Sequence, residues 1–522
     1  LAVSQVNGDV DSTGTDFLTI FPWNNNDVDH FPVVAAIDFI NSDETTTATV
    51  DISYSVYAIS GDDITTTIKT KRITVGKKSK ETFAFGSDSV YQYLAQGLNL
   101  DYPSTKIFVH SSSPISVFAH TYTAEGIGDT FAVLPTAMAS KEYSFSLPKH
   151  QSAKALGMIY LLPTVADARI SLTLITATKT RDYSVTVPAG LTDNVAMFGT
   201  PPKDFSLYAT SDQPFLIVAA IRMLPASNAK YEFGCFMPIP LTSKNCAEES
   251  VNDFHITDLS SASYFTVTSP GSGCSRFQVE LSSEKRNSNL TIEPGKSQEP
   301  FYFAKGLHGD VAAFRSRNAL VEMVRYGGFS VSGSGAFLDN LPSVNQFVTG
   351  VTPYLSFRID DSLTIFGDQA TSNTAKNDGT AVTGWKQIKF FDRSFYYTTL
   401  VVSSGVHFFS SSGQYILHVS GLSSNYSQGF TPRFVWKGTA APTPIPPSPS
   451  GQTATPTRVT PTGQSVTPTG VTPTGQSVTP TGQSVRPSGS PTTVVTPPKS
   501  GSNAAEAFVG LIAMALYFAL II

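Results

Sequence analysis

The chain reads as all-β: tandem antiparallel β-sandwich domains followed by a disordered, mucin-like stalk. Three observations predict this. First, "ATVDISYSVYAI" (Ala48–Ile59) and "ARISLTLITA" (Ala168–Ala177) alternate apolar and polar residues as half-buried strands do, and few windows of helical period compete with them. Second, charged residues are only 14% of the chain, while 38 Gly and 34 Pro punctuate a sequence rich in Thr, Ser, Val, Phe and Tyr. Third, composition breaks near Trp436, after which large apolar residues almost vanish until the last segment.

An internal repeat sets the domain scale. "KIFVHSSSPISVFAH" (Lys106–His120) lies 100 positions before "SLYATSDQPFLIVAA" (Ser206–Ala220), with Ser111 and Ser211 in step, and Pro114 and Pro214 in step. Weaker copies start at Val311 ("VAAFRSRNALVEMV") and Val406 ("VHFFSSSGQYILHV"). The first three copies follow a matching strand and turn, "RITVGKKS", "SVTVPAG" and "NLTIEPG". In each copy a short strand reaches a Ser-containing turn and a second apolar strand follows, which predicts hairpins closed at the Ser and Pro positions. Spacing of this size fits sandwiches at 1–145, 146–245, 246–345 and 346–437. The 41% hydrophobic content is enough to build their cores.

From 438 to 500 the chain is expected to be a stalk. "VTPTGQS" recurs at Val459, Val471 and Val478. Such a segment buries too little apolar surface to offset its chain entropy, and Pro beside Thr and Ser favours extended, O-glycosylated geometry. Residues 501–522 then read as a glycosylphosphatidylinositol (GPI) signal. Small residues offer attachment at Ser500, Gly501, Ser502 or Asn503, and "AFVGLIAMALYFALII" (Ala507–Ile522) supplies a hydrophobic tail. At about 1.5 Å per residue that tail spans roughly 24 Å, short of a ~30 Å hydrocarbon core, and no Lys or Arg anchors it. A single-span anchor is the alternative.

Other features agree with an address on the outer face of the plasma membrane. The chain opens "LAVSQVNGDV", as a mature terminus or a fragment would. N-glycosylation sequons stand at Asn289 and Asn425. The three cysteines, Cys235, Cys246 and Cys274, leave one thiol unpaired; the short loop favours Cys235 with Cys246, and Cys246 with Cys274 is the alternative. With a net charge of −5 and no long run of either sign, nucleic acid is not an expected partner.

The repeated segment carries a family resemblance. "KIFVHSSSPISVFAHTYTAEGIGDTFAVLPTAMASKEYSFSLP", with "GTDFLTIFP" at Gly14, "LPSVNQFVTGVTPYLSF" at Leu341 and "VVSSGVHFFSSSGQYILHVSGL" at Val401, resembles the N-terminal region of IgGFc-binding proteins over about residues 14–434. The resemblance implies architecture, since its motifs are structural. No ligand residue carries over, and three cysteines exclude the cysteine-rich modules that follow this region in the family's mammalian namesake.

Catalytic patterns are weak. His110, His120, His407 and His418 read as strand residues, with a metal shared by His110 and His120 as the alternative. "GGFSVSGSGAF" (Gly327–Phe337) lacks the order of a nucleophile elbow. Asp9, Asp11 and Thr13 begin like a calcium loop, but its twelfth position is Ile20. "KTKRITVGKKSK" (Lys69–Lys80) offers a basic face for sulfated glycans, or a solvated hairpin. Neither an enzyme nor a cofactor is expected. The expectation is a surface binding or adhesion protein with a protein or glycan ligand. The alternatives are a coat or mucus-scaffold component with homotypic contacts through the odd cysteine, or a hydrolase whose site is gathered from distant strands.

Overall fold

The computed structural model describes residues 9–442 apart from internal stretches, the longest being 25–33 and 243–252. The described part is almost all β, with one α-helix, Gln369–Thr374, and short 3-10 turns. The alternating segments form strands with the expected faces. Ala48, Val50, Ile52 and Tyr54 are buried while Thr49, Asp51 and Ser53 are not, and Ala48–Ser60 pairs along its whole length with Asp63–Val75.

The Ser-Pro segments are not hairpin turns. Ile107–Tyr122 is one strand that serves two sheets. Residues 107–111 pair with Ala48–Ser60 on one side and Gly14–Thr19 on the other, whereas residues 116–122 pair with Val34–Asn41 and, from Phe118, with Gly128–Ala132. The register slips between His110 and Ile115, so "SSSP" is a corner at which the strand leaves one sheet for the next. Pro114 has no N–H to give a ladder, which suits it to the break.

The same pairing scheme recurs three times. Phe205–Pro225 pairs first with Ser140–Leu147 and Ala168–Thr176, then with Gly157–Pro163 and Tyr231–Phe236. Gly405–Leu422 pairs first with Val348–Ser356 and Lys376–Asn377, then with Asp361–Gly367 and Ser427–Phe430. At these two corners Ser211 and Ser411 accept the N–H two residues on, from Gln213 (3.2 Å) and Gly413 (3.0 Å), replacing ladder bonds. In the third copy the crossing strand is split into Val311–Ser316 and Glu322–Gly327, each with the corresponding partners.

The last strand of each scheme meets the others. Gly128–Ala132, Tyr231–Phe236, Phe337–Asn340 and Ser427–Phe430 lie against one another in turn, closing a four-membered ring. The first and last described strands close the outer circuit: Val10 pairs with Trp436 and Asp11 with Val435, while Trp436 Nε1 donates to Pro240 O at 2.8 Å. One continuous core therefore runs from Val10 through Phe39, Tyr160, Leu216, Phe254 and Ile416 to Trp436. The expected stalk and tail, including Ser500, Gly501, Ser502 and Asn503, lie outside the described residues.

Candidate functional site

The ring centre holds the most unusual chemistry and seals it. Asp129 Oδ2 accepts the N–H of Cys235 (2.9 Å) and of Leu338 (3.4 Å), and Glu232 Oε1 accepts the N–H of Gly128 (2.7 Å). Burial pushes both carboxyls well above their ordinary range. Arg325, fully buried, grips Asp339 through Nε (2.9 Å) and Nη2 (2.7 Å), and its Nη1 lies 3.7 Å from Asp258. His418 Nδ1 stands 3.4 Å from Asp258, and burial, followed by the Arg325 charge, pushes the imidazole down to about 4. These groups tie backbone and side chains of different repeats together, while Arg325 Nη1 and His418 Nε2 find no hydrogen-bond partner.

The histidines do not converge. His110 and His120 share the crossing strand Ile107–Tyr122 but pair in different sheets. His110 meets Asp16 at 2.7 Å at the surface, whereas His120 is buried 3.4 Å from Asp38. His407 Nδ1 lies 2.7 Å from Asp378. Among the described residues no cluster of three His, Cys, Asp or Glu side chains is placed to hold a metal. Asp11, from the calcium-like opening, is instead held by Arg433 and by the Thr13 N–H (2.9 Å), and Asp9 pairs with Lys437.

The thiol expected to pair with Cys246 is free: Cys235 is a buried free cysteine, and Cys274 is disulfide-bonded. The chain has one further cysteine, Cys246, which lies outside the described residues. Proximity in sequence misled here because Cys235 sits inside a strand, in register with Ala220, where its side chain joins the shared core. The same burial denies Cys235 to an intermolecular link. Asn289 is exposed on Asn287–Ile292, opposite Glu280, beside a depression lined by Glu280, Asn287 and Phe391. Asn425 lies outside the described residues.

Three of the six cations in the basic run Lys69–Lys80 meet acids from neighbouring segments. Arg72 meets Asp51 at 2.6 Å, Lys78 meets Glu44 at 2.6 Å, and Lys80 meets Asp38 at 3.1 Å. A different set of cations is uncompensated. Lys179, Arg181 and Lys203, with Leu174, Thr176 and Thr178, line a depression of about 160 Å³. All three cations are exposed, and among the described residues none has a carboxylate within ion-pair distance.

Local structure brings them together. Thr176 closes the turn into Thr180–Val187: its N–H donates to Lys179 O at 2.9 Å, and its Oγ1 accepts the Lys179 N–H at 3.2 Å. Lys179, at the end of the turn, and Arg181, in the strand that follows, both line the depression. Thr176 also pairs with Phe205, which brings the incoming Lys203 beside the same hairpin end. Three like charges over an aliphatic and hydroxyl floor focus a positive potential outward.

A ladder of tyrosines rises nearby. Tyr264 stands opposite Tyr302 and Tyr326 on adjacent strands, with ring centroids 4.8 Å and 4.9 Å apart. Tyr326 belongs to the core built on the second repeat, Tyr264 packs against that core, and Tyr302 at the edge is 56% exposed. Asp204, the residue after Lys203, is anchored by the Lys149 N–H (2.7 Å), and after burial and Tyr264 its charge helps push the Tyr326 phenol up. The sequence signalled neither feature, because each is assembled across strands. No protein-family model matches the chain, and comparison with curated proteins finds no match, so the chemistry of these side chains carries the functional reading.

Proposed function

We propose that the protein is an extracellular surface binding or adhesion protein. Four tandem β-sandwiches form its head, a Thr/Ser/Pro-rich stalk raises that head, and a GPI anchor near Ser500 holds it to the outer leaflet. Its family reading is the N-terminal region of IgGFc-binding proteins. The observation that carries the binding function is the Lys179–Arg181–Lys203 depression, an exposed cluster of cations without acids, where the buried acids and histidines are committed to internal contacts. Exposed charge of one sign attracts a ligand of the other, and no ion pair among the described residues has to break before these cations meet it. The ligand is therefore anionic and extracellular.

The test is an array of acidic and neutral extracellular glycans and proteins probed with the full chain at two salt concentrations. Retention on acidic members, weakened by salt and by the double substitution Lys179→Ser with Arg181→Ser, is expected. Equal retention on neutral members would sink the reading. Anchoring is tested separately: phosphatidylinositol-specific phospholipase C should release the protein from intact cells, and retention would favour a membrane-spanning tail.

A further inference from the structure

The cation depression reports the charge of a ligand and says nothing of the rest of it. The tyrosine ladder supplies that part. Three phenol rings in register on adjacent strands run from a buried end at Tyr326 to an open end at Tyr302, the exposed large side chain of the series. Tyr264 backs Tyr302 at 4.8 Å, so the outer ring is held in place before any ligand arrives. A flat, pre-positioned aromatic ring with a polar edge suits a ligand that has an apolar face and hydroxyls around it. A pyranose ring has that form. The two features lie on neighbouring strands: Thr266, two residues along the strand from Tyr264, donates through Oγ1 to Ser146 O at 2.9 Å, and Ser146 pairs with Ser206, three residues after Lys203.

Resting on the anionic-ligand reading above, we propose that the ligand is a sulfated or carboxylated glycan. One of its sugar rings stacks on Tyr302, and its acid groups occupy the depression of Lys179, Arg181 and Lys203. An acidic peptide would use the cations and leave Tyr302 idle. A glycan of several sugar units uses both, which gives the site selectivity between polyanions of equal charge.

The experiment measures binding of the full chain to immobilised heparin, inorganic polyphosphate and a single-stranded oligonucleotide, comparing wild type with Tyr302→Ala, Tyr302→Phe and the Lys179→Ser/Arg181→Ser pair. Tyr302 is surface-exposed, and unchanged thermal melting of its variants confirms the fold. The expected result is a roughly tenfold loss of heparin affinity in Tyr302→Ala, none in Tyr302→Phe, and no change for polyphosphate, since stacking on one aromatic face is worth about that factor. The cation pair should weaken both. If heparin binding ignores Tyr302→Ala while the cation pair still matters, the glycan inference fails and the anionic-ligand reading survives. If neither polyanion binds, both fail. Tyr302-dependent binding that is tighter for the oligonucleotide than for heparin also overturns the glycan assignment.

Discussion

Arg433 donates from Nε to both carboxylate oxygens of Asp11, at 3.0 and 3.1 Å, joining positions 422 residues apart. The same guanidinium donates through Nη1 to Thr349 O at 3.2 Å and also to Val351 O, so one side chain ties together the first strand, the fourth repeat and the segment leading to the last strand. The pair is largely shielded, with Asp11 and Arg433 side chains 28% and 17% exposed, which places it above an ordinary surface ion pair. Arg433→Met should lower unfolding free energy by about 2 kcal/mol and raise amide exchange first at Val10–Asp11 and Val435–Trp436. Exchange that rises evenly across the molecule would contradict this.

Gly429 marks a close approach between two closing strands of the ring. A Cβ there would stand 2.3 Å from Phe337 Cε2, on a neighbouring closing strand. Gly429→Ala is expected to cost about 1–3 kcal/mol by overpacking, and Phe337→Leu introduced with it should recover part of the loss. Chemical denaturation of the three variants measures both effects; additive losses would show that the two residues do not compete for the same space.

The His418 imidazole gives stability a defined dependence on pH. Its folded pKa, about 4, lies below the ordinary 6.5, so between these values the unfolded chain binds the extra proton. Stability from this group is therefore full above pH 6.5 and falls as pH drops toward 4. His418→Gln removes the dependence, so the stability gap between wild type and variant should narrow by up to about 3 kcal/mol over that window. A gap constant from pH 7 to 4 would refute the assignment.

Cys235 should be chemically silent in the folded protein. Burial, and then the neighbouring Asp129, push its thiol well above the ordinary range, and reaction requires thiolate and access. Iodoacetamide should leave it unmodified in native buffer and label it in denaturant, as read by mass spectrometry. Native labelling at a rate near that of a free thiol would show that the strand Tyr231–Phe236 opens readily.

The β character of the chain was legible from Ala48–Ile59 and Ala168–Ala177, because each strand buries one face and the alternation survives in the sequence. The Ser-Pro repeats were visible but pointed to hairpins. A chain break in the apolar pattern looks the same whether the strand reverses or bends into a second sheet, and only the partners distinguish them. Lys69–Lys80 stood out as a run, yet Asp51, Glu44 and Asp38 answer three of its six charges from segments that the run does not reveal. Lys203 joins Lys179 and Arg181 only through the pairing of Thr176 with Phe205, and Tyr302 meets Tyr264 across 38 residues of chain, so neither grouping leaves a local signature.

The closed circuit also governs how the folded region would respond to tension. In an open string of modules, tension applied at the last residue would travel through every module in series, and each could extend alone. Here tension entering at Trp436 reaches Val10 directly through strand pairing, and its neighbour Arg433 passes part of it to Asp11 and to the backbone of Val351. The first element to yield is then the pairing of Val10–Asp11 with Val435–Trp436. The four-strand ring behind it, bonded from Gly128 to Glu232 and from Cys235 to Asp129, remains out of the line of pull.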